Sequence, residues 1–231
     1  MRLKELREEV LEANLELVRN HLVVFTFGNA SGLDRASGLV VIKPSGVPYH
    51  DLRPEHLVVT DLDGRIVEGD LRPSSDLPTH IVLYRAFEGV NGIVHTHSRY
   101  ATAWAQAQRE IPCFGTTHAD YAPGPLPVTR PMRPDEIQSD YEANTGSVIV
   151  ERFRDLDPLS THAVLVAGHA PFCWGASPAE AAHTAAIVEE IAHMAFLTLT
   201  INADASSISR TLHDKHFLRK HGPGAYYGQP K

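Results

Sequence analysis

Gly92-Ile93-Val94-His95-Thr96-His97-Ser98 is a short apolar run that closes on two histidines one residue apart. On a strand successive side chains alternate between faces, so this spacing aims both imidazoles at the same side. Two imidazoles held at a fixed angle make half of a transition-metal site, because borderline-soft divalent ions favour ring nitrogens. The other half must come from elsewhere. The best candidates are His169, at the end of Val164-Leu165-Val166-Ala167-Gly168-His169, and Asp76, in Pro73-Ser74-Ser75-Asp76. Any one of these histidines alone reads as a core or surface residue. The pair carries the metal reading, since two buried imidazoles without partners are costly to desolvate.

Working outward, Leu3, Leu6, Val10, Leu11, Leu15 and Val18 recur at helical spacing and predict an amphipathic first helix over 3–18. Strand-like runs follow over 22–27, 39–42, 57–60 and 65–67, the last two joined by the turn signal Asp61-Leu62-Asp63-Gly64. Pro78 opens a helical pattern over 78–87, and 99–108 is a second one. The segment 134–153 is ambiguous and reads as helix with a break near Gly146, 163–166 as a buried strand, 178–199 as a long Ala-rich helix and 206–221 as helix. Gly222-Pro223-Gly224 then releases the last residues as an extension. The elements alternate without a regular βαβ cadence or a repeat. An α/β fold follows, a single layered domain with a central, largely antiparallel β-sheet flanked by helices.

The chain has 231 residues, which suffices for one sizeable core, and carries a formal net charge of -7 with a sequence pI near 6.0. No basic field exists for nucleic acid. The charged, helix-patterned N-terminus argues against a signal peptide, and no apolar run of membrane-spanning length is expected, so no membrane partner is anticipated. Two distant cysteines, Cys113 and Cys173, fit a reduced cytoplasmic interior better than a disulfide framework.

Three short loops, Gly28-Asn29-Ala30-Ser31-Gly32, Lys43-Pro44-Ser45-Gly46 and Pro73-Ser74-Ser75, combine glycine with hydroxyls. Such loops expose backbone N–H groups to anions, and a helix starting after Ser75 adds favourable partial charge. Turn chemistry accounts for each loop singly, whereas together with Lys43 they read as an anion cradle. In Thr116-Thr117-His118-Ala119-Asp120-Tyr121, Asp120 is either a turn cap or an acid/base group. Tyr227, in the C-terminal Tyr226-Tyr227-Gly228-Gln229, is either a tail anchor or a proton shuttle.

These motifs, with Lys215-His216-Phe217-Leu218-Arg219-Lys220-His221-Gly222 and Glu12-Ala13-Asn14-Leu15, resemble the class II aldolase and epimerase superfamily over nearly the whole chain. Within it they are most similar to the L-ribulose-5-phosphate 4-epimerase branch. The resemblance implies Zn2+, with Mn2+ or Co2+ also acceptable, at Asp76, His95, His97 and His169. It implies substrate contacts from Asn29, Lys43, Ser45, Gly46, Ser74, Ser75, Thr116 and His216, with Asp120 and Tyr227 as the acid/base pair. Aldolase relatives carry Glu where this chain has Asp76, and Asp favours the epimerase branch. The resemblance further implies a four-fold homotetramer in which the tail, from about 205 to 231, reaches a neighbouring subunit's active site. The alternatives are a fuculose-phosphate type aldolase and a non-catalytic module like the adducin head.

Overall fold

The computed structural model describes residues 1–226 and 228. Eight α-helices, two short 3-10 helices and seven strands are present among them. The first helix, α1 (Lys4–Arg19), precedes β1 (Asn29–Asp34), β2 (Leu39–Ile42), β3 (Val58–Asp61) and β4 (Ile66–Glu68). Next come α2 (Leu77–Ala86), β5 (Gly92–His95), α3 (Arg99–Gln106), α4 (Thr116–Ala119), α5 (Pro134–Gln138) and α6 (Tyr141–Arg152). The order closes with β6 (Ala163–Leu165), β7 (Pro171–Gly175), α7 (Pro178–Ile201) and α8 (Arg210–His221). The strands form one sheet in the order β4-β3-β2-β1-β5-β7-β6, and every ladder between named strands is antiparallel.

Period-two alternation distributes the strands' side chains between two cores. Ile93, Phe172, Trp174 and Val164 face α2 and α6, packing with Leu77, Leu83, Tyr84 and Ile149. Val94, Cys173, Ala163 and Leu165 face the other way, against α3 and α7. Both cysteines are free and buried. Helix α7 is long and apolar enough to cross a membrane by length and composition, contrary to the sequence expectation. Here Ala181, Ala185, Val188 and Ala192 bury one of its faces on the sheet.

A row of three glycines allows α7 to approach so closely. Gly32, Gly92 and Gly175 are paired in register across β1, β5 and β7. A Cβ at Gly92 would stand 2.1 Å from the Ser177 carbonyl oxygen, and one at Gly175 2.6 Å from Glu180 Cβ. At Gly32 the obstacles would be Leu6 and Pro178, both inside 3.0 Å. The start of α7 therefore rests on bare backbone.

Several sequence expectations need correction. Residues 28–32 belong largely to β1 rather than to a loop, because the flanking ladders and the approach of α1 and α7 favour small residues in that strand. Residues 22–27 form no strand; His21 and Phe25 take left-handed backbone, and Val24, Phe25 and Phe27 are exposed. The break in 134–153 falls at Ser139 and Asp140. Gly146 sits inside α6, where a Cβ would meet Val82 at 2.7 Å. The sequence reads as a polar loop over 115–125, but residues 116–119 of it form a short helix. Finally β5 ends at His95, so His97 lies beyond the strand and strand alternation does not by itself place both rings.

Candidate functional site

His95 closes β5, and the ladders set it opposite Asn29 on β1 and Phe172 on β7. Phe172 stacks on its imidazole at 4.2 Å between centroids and 16° between planes. His95 Nδ1 lies 3.0 Å from the Pro171 carbonyl oxygen. A carbonyl only accepts, so the ring proton resides on Nδ1 and the Nε2 lone pair remains available to a ligand. His97 follows two residues on, and His169 sits in the turn between β6 and β7. The three centroids form a near-equilateral triangle, with separations of 5.0, 4.9 and 5.0 Å. One ring nitrogen from each lies within 4.8 Å of the others.

Burial lowers the pKa of all three, and for His169 burial together with the nearby His95 and His97 brings it to about 4. They are neutral imidazoles at pH 7, the form that binds metal. Buried His169 Nδ1 has no hydrogen-bond partner among the described residues. An orphan nitrogen is costly unless a ligand engages the ring. The donor set thus fits a divalent cation, and its chemistry does not select among Zn2+, Mn2+ and Co2+.

Asp76 immediately precedes α2 without capping it and stands beside the triad, within electrostatic reach of His95 and His169, yet outside the group of mutually close ligand atoms. Its Oδ2 accepts from Asn29 Nδ2 at 2.7 Å. Burial pushes its carboxyl up, but His95, His80, Asn29 and His169 together outweigh this and hold it below the ordinary range. Asn29 Nδ2 also donates to Ser74 Oγ at 3.0 Å, while its own carbonyl oxygen is buried without a partner among the described residues.

The two remaining loops meet at this point. Pro44 and Pro73 form an antiparallel bridge, Ser74 N donates to the Lys43 carbonyl at 3.0 Å and Ser45 N to the Arg72 carbonyl at 2.9 Å. Ser45, Gly46 and Ser75 are exposed at the rim, and Gly46 needs its left-handed φ of 70°. Beneath them Lys43 is 1 % exposed. Among the described residues its ammonium reaches only the Pro44 carbonyl, at 3.3 Å, and the Tyr49 ring, at 4.8 Å. Burial pushes its pKa down to about 8. A buried cation without a carboxylate is poised for an anion.

Asp120 belongs to a second cluster. It ends α4 and is gripped by α8: Oδ1 accepts from His216 Nδ1 and Arg219 Nε at 3.0 Å each, and Oδ2 from Arg219 Nη2 at 2.6 Å. Lys220 Nζ lies 3.8 Å away, and His221 Nε2 donates to the Asp120 carbonyl at 2.9 Å. Burial raises the Asp120 carboxyl, but Arg219, His216 and Lys220 hold it below the usual range, so at neutral pH it is a carboxylate that accepts these hydrogen bonds. Thr116 opens the same short helix. None of these Asp120 contacts reaches the triad. Tyr227 lies outside the described residues.

Two neighbours of the triad escaped the sequence reading. Tyr141, the first residue of α6, is half-buried with its ring 6.3 Å from that of His169, and nothing in its local pattern marks it. His80, fully buried one helical turn after Asp76, could have been found from that i,i+4 spacing.

The model of the Class II Aldolase and Adducin N-terminal domain matches residues 8–196, most of the chain. The chain belongs to this family. The structure is similar to that of YgbL from Klebsiella pneumoniae, described as a putative aldolase/epimerase/decarboxylase, with 26% identity and a TM-score of 0.72. That likeness covers 93% of this chain and 99% of the other. The fold also matches an L-fuculose 1-phosphate aldolase at a TM-score of 0.77 and 23% identity, covering 92% of this chain and 94% of that one. The L-fuculose-1-phosphate aldolase from Thermus thermophilus matches at 0.69 and 24% identity, over 88% and 100%. The family's single layered domain, with seven antiparallel strands between helices, is the architecture seen here.

Proposed function

We propose that this chain is a divalent-metal-dependent enzyme that breaks and re-forms a carbon–carbon bond of a sugar phosphate, and specifically an L-ribulose-5-phosphate 4-epimerase. The observation that carries this reading is the contact between the two halves of the site. Asn29 bridges Asp76, beside the imidazole triad, to Ser74 of the anion cradle. A substrate gripped at its phosphate by Lys43, Ser45, Gly46, Ser74 and Ser75 would lay its oxygens towards His95, His97 and His169.

The C4–H bond of a 2-ketopentose 5-phosphate is not adjacent to the carbonyl, so direct deprotonation cannot invert that centre. Retro-aldol cleavage between C3 and C4 can, provided that glycolaldehyde phosphate is retained and turns before the bond re-forms. Bound at the triad with Asp76, Zn2+ or a similar cation supplies Lewis-acid stabilisation of the charge that develops on the substrate oxygens. The cradle retains the aldehyde by its phosphate. Since the C4 oxygen points to opposite sides in the two epimers, two proton-transfer groups are needed, and we assign Asp120 and Tyr227 to them, with His216 and Thr116 beside Asp120. Because Asp120 is held by its own α8 and not beside the triad, the assignment calls for a second copy. The tail from about 205 to 231 would complete a neighbour's site in a homotetramer. A cytoplasmic location accords with the two free thiols.

An aldolase that releases the aldehyde is the second reading, because triad and cradle serve either outcome and aldolases share the fold. Purified protein incubated with L-ribulose 5-phosphate should yield D-xylulose 5-phosphate, and a chelator should abolish the conversion. Absence of product with added divalent metal, alongside cleavage of L-fuculose 1-phosphate, would replace the epimerase by the aldolase.

A further inference from the structure

Behind the triad lies a line of buried polar groups. Ser31 Oγ, on β1, stands 2.7 Å from His80 Nδ1 and 2.7 Å from the Tyr84 hydroxyl, both on α2. His80 and Ser31 are fully buried, Tyr84 is 1 % exposed, and His80 Nε2 has no hydrogen-bond partner among the described residues. The edge of the His80 ring packs on Phe172, which in turn stacks on His95. Asp76, one helical turn before it, is the acidic group whose charge acts on His80.

The proton positions follow from counting donors. Ser31 has one hydroxyl proton and two neighbours. If His80 Nδ1 donated to Ser31, and Ser31 to Tyr84, the phenol proton would have no acceptor among the described residues, and the buried Nε2 would keep a bare lone pair in the field of the Asp76 carboxylate. In the opposite direction both hydroxyl protons are used, and only the Nε2 proton is left without a hydrogen bond among the described residues, in the field of the Asp76 carboxylate. Tyr84 donates to Ser31, Ser31 donates to Nδ1, and His80 carries its proton on Nε2. Burial keeps the imidazole neutral, with a pKa of about 3, and keeps the phenol protonated by raising its pKa.

We propose that Tyr84, Ser31 and His80 form a proton-ordered chain that fixes His80 as the Nε2–H tautomer and presents that dipole to Asp76, making His80 a positioning residue for the carboxylate at the metal site. The proposal rests on the metal reading given above. Groups behind a ligand orient it and tune its basicity, and losing one typically weakens metal binding 10- to 100-fold by order of magnitude. His80 acts through Asp76 and need not touch substrate.

Two measurements on the full chain test this separately from the metal reading. Long-range 1H–15N spectra of the metal-free protein, compared with His80→Gln to assign the ring, should show a neutral Nε2–H tautomer; an Nδ1–H tautomer overturns the proposal. Chelator competition should then give a Zn2+ Kd weakened about 10- to 100-fold in His80→Phe, with partial recovery in His80→Gln, whose amide can still donate. Should His80→Phe fail to fold, Ser31→Ala puts the same question by releasing the tautomer, and a shift in Zn2+ affinity of at least several-fold is expected. Unchanged affinity in the folded variants overturns the positioning role. Absence of Zn2+ binding by the wild-type protein would overturn the metal reading and the positioning role with it, whatever the tautomer.

Discussion

Replacing Lys43 by Met should make the ligand-free protein more stable while removing its response to phosphate. Lys43 is nearly isosteric with Met, is 1 % exposed and has no carboxylate partner among the described residues. Burial moves its pKa from 10.5 to about 8, which corresponds to about 3 kcal/mol against the charged form at pH 7. Solvent at the open rim of Ser45 and Gly46 screens part of this, and the variant also forfeits the cation–π contact with Tyr49. A net gain of about 1–2 kcal/mol remains. For a chain of this size that raises Tm by roughly 3–6 °C. The sign of the pH dependence is specific. The penalty is full below pH 8, where both folded and unfolded chains carry the proton, and vanishes as pH rises from about 8 to 10.5. Calorimetric scans in phosphate-free buffer at pH 7 and 10, repeated with millimolar phosphate at pH 7, provide the assay. The wild type should gain Tm with phosphate and the variant should not. A variant that is less stable at pH 7 and still gains Tm with phosphate would refute the reading of Lys43 as an anion-seeking cation.

Three further outcomes are expected. His97→Ala removes one of three imidazoles from a partly exposed corner of the triad, so Zn2+ affinity by calorimetric titration should fall by at least about 100-fold with Tm of the metal-free protein little changed; wild-type affinity should itself weaken as pH falls towards 4, where His169 takes up a proton. Asp120→Ala withdraws the acceptor that holds His216 and Arg219, and amide hydrogen exchange over Arg210–His221 should quicken by about tenfold, corresponding to a local loss of about 1–2 kcal/mol; unchanged protection would mean that other contacts dock α8. Gly92→Ala drives a methyl into the Ser177 carbonyl, and denaturant titration should register a loss of about 3 kcal/mol or more, whereas Gly224→Ala, where a Cβ meets nothing within 4 Å, should stay within about 0.5 kcal/mol.

Much of the site was legible because its chemistry is carried by residue type. Histidine at 95, 97 and 169, a lysine followed by Pro-Ser-Gly, and a carboxylate before a helix each narrow the possible roles without coordinates. Local periodicity likewise exposed the long helices, whose apolar stripes repeat every turn. Two of the places where it failed share a cause. The segment 28–32 reads as a loop because glycine and serine are poor strand formers, but pairing on both sides and the close passage of α1 and α7 override that preference and make Asn29–Asp34 a strand. The segment 22–27 reads as a strand because it is β-branched and aromatic, but no neighbouring strand accepts it, and left-handed backbone at His21 before it and at Phe25 within it turns the chain so that Val24, Phe25 and Phe27 are exposed.

The sequence by itself determined which groups could bind a metal, hold an anion and move a proton, because those capacities belong to side chains. Only the tertiary structure decided which of them meet. Antiparallel register sets Asn29, His95 and Phe172 in one row. The turn between β6 and β7 returns His169 to within 5.0 Å of the rings of both partners. The docking of α8 gives Asp120 to another cluster. Such juxtapositions join residues up to 101 positions apart, and they arise from ladder pairing and from helices packed on bare glycine backbone, which no local pattern encodes.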